Sequence, residues 1–98
     1  MIVRIVKLTF EKGNIASFER IFEETKDTIR NTEGCSLLEL YQDVTNPEVF
    51  FTYSHWESEQ HLDAYRASAF FKNVWGKTKV LFDQKPEAWS VQKIHTLN

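Results

Sequence analysis

Cysteine is nearly absent: Cys35 stands alone in a chain of 98 residues. No intrachain disulfide can form, and a cysteine-based metal site would need ligands of other types. That usage fits the reducing cytoplasm. Long apolar runs are also missing. Arg4 and Lys7 interrupt the opening MIVRIVKLTF, so it is not expected to act as a signal peptide. Nothing approaches the ~20 apolar residues of a membrane span. Charge of one sign is missing as well. The net charge is −2 and both signs are mixed along the chain, with no basic stripe. Nucleic acid and an anionic membrane surface are therefore not expected as partners. Gly13, Gly34 and Gly76 are isolated, so no phosphate-cradling loop exists and no nucleotide cofactor is expected. His55, His61 and His95 show neither HxxH nor HxxxH spacing, and no metal site is expected.

Aromatic residues, by contrast, are plentiful. Eight Phe, three Trp and three Tyr make up 14% of the chain. That is more large apolar surface than a minimal core needs, and the excess can line a cavity or an interface. The length implies one domain over residues 1–98. A chain this short hides only about 60–65% of the surface its unfolded form exposes.

Apolar alternation predicts a first strand from Ile2 to Phe10. EKGN makes a turn, with Asn14 as a helix N-cap. Ile15, Phe18, Phe22, Thr25 and Ile29 recur at helical spacing, predicting a helix that ends near Gly34. Cys35 to Gln42 reads as a second strand and Val49 to Trp56 as a third, joined through the turn-forming DVTNP. Ser58 can cap a short helix carrying Leu62 and Tyr65. Ser68 can cap another, with Phe70, Phe71, Val74 and Trp75 on its apolar side. DQKPE is expected to break the chain again before a last strand, Ala88 to Ile94. The order is β-α-β-β-α-β, the ferredoxin-like α+β arrangement.

The strands do not alternate cleanly. Val3 and Ile5 lie on one parity of the first strand, Val6 and Leu8 on the other. The third strand sets Val49, Phe51 and Tyr53 against Phe50 and Trp56. A sheet covered by helices on one side should be apolar on that side alone. Two apolar faces call for a partner, and the simplest is a second copy of the chain, a homodimer.

The stretch EGCSLLELYQDVTNPEVFFTYSHWESEQHLDAYRASAFF resembles the antibiotic biosynthesis monooxygenase family. The resemblance rests on Gly34-Cys35, Leu40-Tyr41-Gln42-Asp43, Asn46-Pro47, Trp56-Glu57-Ser58-Glu59, and on Leu62, Ala64, Ser68 and Phe70. It implies a dimeric α+β barrel, with two sheets face to face and a pocket in each subunit between sheet and helices. It also implies that Phe50, Thr52, Ser54 and Trp56 face the pocket, and that Phe51, Tyr53 and His55 face the dimer barrel. The chain departs from the family at several places. Ser54 stands where many relatives have Glu, Tyr65 where many have His, and Thr52 where some oxygenase members have Asn. The usual acid and base are therefore not expected here. In haem-degrading members an Asn, a Trp and a His fall at places held here by Val6, Tyr65 and Trp75. None of the three matches, so haem is not expected, and no cofactor is.

The substrate-binding candidates are Arg4, Thr52, Ser54, Trp56, Tyr65, Phe71 and Trp75. Trp56 can wall a flat aromatic ligand and offer its indole N–H, or staple the strand end onto the helix. Tyr65 can hydrogen-bond an oxygenated aromatic. Arg4, a charge inside the first strand, can meet an anionic or carbonyl group or snorkel to the sheet edge. By parity His55 faces away from the pocket, and His61 is expected on the exposed side of its helix. No residue is assigned as catalytic.

Two functions remain open. One is a cofactor-independent monooxygenase for a small phenol- or quinol-type aromatic. The other is a non-catalytic homodimer of the same fold, with a ligand-binding or stress-related role.

Overall fold

The computed structural model describes Met1–Asn98. Seven principal elements follow one another: β1 Ile2–Phe10, α1 Ile15–Arg30, β2 Cys35–Gln42, β3 Val49–Trp56, α2 Glu59–Ala67, α3 Ala69–Lys79 and β4 Phe82–Val91. They build one four-stranded sheet in the order β2-β3-β1-β4. Every pairing is antiparallel, and the helices lie between the sequence neighbours as a ferredoxin-like α+β fold requires. No helix is long and apolar enough to cross a membrane.

Strand register decides which side chains share a face. Ile2 pairs with Trp56, Arg4 with Ser54, Val6 with Thr52 and Leu8 with Phe50. These residues look toward the helices. Leu8, Phe10 and Phe50 form the core there, with Phe18 of α1 stacked on Phe10 at a ring separation of 4.2 Å. Burying one such ring is worth about 1.5–3 kcal/mol. A second, smaller core joins Cys35, Trp56 and Leu62, so the end of β3 is fastened to α2. Phe50 belongs to the first core and fills no cavity.

The opposite face carries Ile5, Phe51, Tyr53 and His55, with Leu37 from β2 and Trp89 from β4. No helix covers it. Trp89 is 44% exposed and Tyr41, at the β2 edge, is 51% exposed. Lys7 and Glu87 form an ion pair across β1 and β4 on this side.

Three sequence expectations are corrected. The last strand runs Phe82–Val91 rather than Ala88–Ile94, so DQKPE lies inside it. That stretch adds residues opposite β1, where the register jumps from Lys7↔Glu87 to Thr9↔Gln84 and then Phe10↔Phe82. Pro86 is tolerated because β4 is an edge strand, with no outer neighbour to receive an N–H. Helix α1 stops at Arg30, where Asn31 donates its backbone N–H to the Asp27 carbonyl and Thr32 donates its own to Ile29, before Gly34 is reached. Asn14 does precede α1, but its side chain makes no cap. Its Nδ2 instead donates to the Leu81 carbonyl and ties α1 to the start of β4.

Gly34 has a structural reason. Its φ is +90°, and a Cβ there would lie 2.5 Å from the His61 ring. Gly34 carbonyl accepts the Glu57 N–H at 2.8 Å, which closes the β2 start against the β3 end.

Candidate functional site

A cavity of about 280 Å³ lies between the pocket face of the sheet and the three helices. Each wall follows from local sequence. Strand parity sends Arg4, Val6, Thr52, Ser54 and Trp56 inward together. Helical spacing brings Phe22, Thr25 and Ile29 from α1 onto the same space. The third wall bends. Ser68 ends α2 and begins α3, its Oγ accepting the Phe71 N–H at 3.1 Å and donating to the Tyr65 carbonyl at 2.6 Å. This joint turns Tyr65 and Arg66 of α2, and Phe71 and Trp75 of α3, toward one another around the cavity.

All seven sequence-predicted binding candidates, Arg4, Thr52, Ser54, Trp56, Tyr65, Phe71 and Trp75, line this cavity. Their aromatic members form a chain. Trp56 stacks on Tyr65 at 5.0 Å and 27°, Tyr65 meets Phe71 edge-on at 5.1 Å, and Phe71 stacks on Trp75 at 5.9 Å.

One expected role of Trp56 is corrected. Its indole N–H is already taken, donating to Ser54 Oγ at 3.0 Å, and only 1% of the residue is exposed. Trp56 therefore offers a ligand a ring edge and no hydrogen. It is both staple and wall, because β3 and α2 diverge at that point with the indole between them. His61 is likewise less exposed than expected. It is half-buried beneath Gly34, with Nδ1 2.8 Å from Ser58 Oγ and Nε2 3.8 Å from Glu57. His55 sits on the far face, its Nε2 3.2 Å from the Tyr53 hydroxyl.

The polar groups facing the cavity are few. Thr25 and Thr78 donate their hydroxyl protons to the Ile21 and Val74 carbonyls of their own helices, leaving only acceptor lone pairs. Tyr65 makes no side-chain hydrogen bond within the chain. Burial pushes its hydroxyl up to about 12, with the Cys35 thiol adding to the effect. It is a neutral O–H donor at every physiological pH and no base. Arg4 donates from one guanidinium nitrogen to Ser90 Oγ at 3.0 Å. Its pKa is lowered first by burial and then by the Arg66 charge, with Asp63 opposing. No Asp, Glu, Lys, His or Cys lines the cavity. Nowhere in the chain do three or more His, Cys, Asp or Glu side chains converge as a metal would need.

Sequence reasoning missed Arg66, Leu38, Pro86 and Ala88 as cavity residues. Arg66 gave a signal: it is one residue beyond Tyr65 on the same short helix. Pro86 gave none, since the stretch that carries it read as a break, whereas Ala88 read as the first residue of the last strand but with no sign of its face.

The fold and site define a small α+β protein with a ferredoxin-like sheet, one uncovered sheet face and an aromatic cavity under its helices. The antibiotic biosynthesis monooxygenase family model matches residues 1–75, and the chain belongs to that family. No curated protein sequence matches it. Solved structures share the fold. An antibiotic biosynthesis monooxygenase superposes with a TM-score of 0.90 at 17% identity, covering 97% of this chain and 100% of that one. A conserved protein from Methanosarcina mazei Go1 gives 0.88 at 23% identity, covering 95% and 93%. A Mycobacterium tuberculosis protein gives 0.88 at 13% identity, covering 99% and 98%. At such identities the likeness is one of fold.

Proposed function

We propose that this protein is a monooxygenase that acts, without a cofactor, on a small phenol- or quinol-type aromatic, and that it works as a homodimer in the cytoplasm. The observation that carries the reading is the cavity: aromatic side chains from the sheet and all three helices, aliphatic ones among them, and a few hydroxyl groups. An electron-rich aromatic anion can itself reduce dioxygen. The phenolate adds O₂ at a ring carbon bearing hydrogen, and the O–O bond then breaks with loss of water. One oxygen atom remains as a quinone carbonyl and the other leaves in the water. The protein's part is to bind the ring, exclude solvent and place donors at the charged oxygen. Tyr65, whose hydroxyl has no internal partner, and Thr52 supply those donors.

Family membership and the uncovered apolar sheet face support the dimer. Ile5, Phe51, Tyr53 and Trp89 together make a patch that a second copy would remove from water. The lone free thiol, Cys35, supports the cytoplasm.

A second reading rests on a specific observation. No cavity side chain is a base near neutrality. A non-catalytic dimer that holds the same ligand, in a binding or stress-related role, would need none. Oxygen uptake separates the two. A panel of quinols and hydroxynaphthalenes is incubated with protein, and uptake is compared with the buffer rate. Catalysis gives uptake in excess of buffer, with one quinone formed per O₂ consumed. Buffer-level uptake with a ligand that demonstrably binds leaves the binding protein.

A further inference from the structure

Two guanidinium groups, Arg4 on β1 and Arg66 on α2, line a cavity whose other walls are almost wholly apolar. They come from opposite layers of the fold, the sheet and the helices. Neither takes part in an ion pair. The ion pairs present join Lys7 to Glu87, Lys26 to Glu23, and His61 to Glu33 and Glu57. Arg4 donates one hydrogen bond, to Ser90, and Arg66 makes none. Most of their ten N–H donors therefore have no protein acceptor.

Like charges brought together over an apolar space are unfavourable, and the two act on each other here. Asp63, one turn before Arg66 on α2, opposes this effect on Arg4 in part and forms no ion pair with either arginine. Nothing within the cavity compensates the pair, and an anion would. The planar fork of arginine suits a carboxylate, which can accept two parallel N–H bonds.

We propose that the ligand of this cavity is an aromatic carboxylate, its carboxylate bridging Arg4 and Arg66 and its ring lying along Trp56, Tyr65 and Phe71. The inference rests on the cavity being the ligand site, as in the reading above, but not on oxygen chemistry. The carboxylate end fixes which ring edge is presented to Tyr65 and Thr52, so the arginine pair sets orientation as well as affinity.

A matched pair of ligands tests this. 2-Naphthoate and 2-naphthamide have nearly the same shape and differ in charge at neutral pH. Calorimetric titration at pH 7 and low salt should give naphthoate about tenfold tighter binding or better, the worth of one charge-assisted hydrogen-bond pair. Arg66→Gln and Arg4→Gln should each remove most of that preference by weakening naphthoate binding far more than naphthamide binding. Arg66 is exposed, so its variant is expected to fold, and a thermal melt checks both. Equal binding of the two ligands, no naphthoate binding at millimolar concentration, or a preference that survives both substitutions overturns the proposal. The outcomes stay separable from the reaction. Naphthoate preference without quinol oxidation keeps the ligand class and removes the oxygenase. Quinol oxidation without naphthoate preference does the reverse.

Discussion

Trp56 lies against Tyr65 with ring centroids 5.0 Å apart and planes 27° from parallel, while its N–H is held by Ser54. This pair joins strand to helix and walls the cavity at once. Packing and binding are therefore not separable at Trp56 but are separable at Tyr65, whose polar end has no internal partner.

Trp56→Phe should weaken ligand binding and also lower stability. The ring is fully buried, and the change removes contact area and one buried hydrogen bond. Each loss is worth about 1 kcal/mol or more, so the total should fall at about 1–3 kcal/mol. Urea unfolding followed by circular dichroism reads it. A variant as stable as the parent would show that the staple contributes nothing.

Tyr65→Phe should leave stability at neutral pH within about 0.5 kcal/mol, since no protein hydrogen bond is lost. Affinity for oxygenated aromatics should fall by about 0.5–1.5 kcal/mol. The substitution also has a pH signature. The folded hydroxyl titrates near 12 against an ordinary value of 10.0, so between those pH values the unfolded chain loses its proton first. Stability contributed by neutral Tyr65 is full below about pH 10 and falls as pH rises toward 12. Tyr41 is shifted upward too, through its hydrogen bond to Glu39, and adds a slope of the same sign. Unfolding free energies of parent and Tyr65→Phe should therefore be close at about pH 9 and diverge as pH rises to about 11.5, the parent falling below the variant, on top of a slope common to both. Parallel curves would place Tyr65 in water.

Gly34→Ala and Gly76→Ala should move stability in opposite directions. Gly34 needs a positive φ and sits where a Cβ meets His61, so alanine should cost about 1–3 kcal/mol. Gly76 lies inside α3 with nothing within 4 Å of an added Cβ, so alanine should add about 0.4–1 kcal/mol. Denaturation midpoints of the two variants decide both signs.

Phe51→Asp should leave the chain monomeric. Phe51 lies centrally on the uncovered face, opposite Lys7 in β1 and Tyr41 in β2. An unpaired carboxylate in an apolar contact costs several kcal/mol. Light scattering at micromolar concentration should give two chains' mass for the parent and one for the variant. A parent with one chain's mass removes the dimer. A dimeric variant removes Phe51 from the interface.

The bounds of β1, β2 and β3 were legible because their signals are local: apolar runs closed by turn residues at each end. Parity grouped Thr52, Ser54 and Trp56 on one face of β3, the family resemblance turned that face and Arg4 toward the pocket, and serine caps at Ser58 and Ser68 marked both short helices. Strand β4 was not legible. Asp83, Lys85 and Pro86 carry no strand preference of their own, and the free edge of β1 makes that segment a strand by offering hydrogen bonds to it. Long-range pairing decided what local propensity opposed. The site divides the same way. Sequence order determined which residues point together along each strand and helix. Only the folded layers determined that Arg66 on α2 faces the cavity with Arg4, that the Trp56 N–H is consumed by Ser54, and that an open space remains at all. Cavity and charge juxtaposition depend on the distance between layers, a property that no single segment carries.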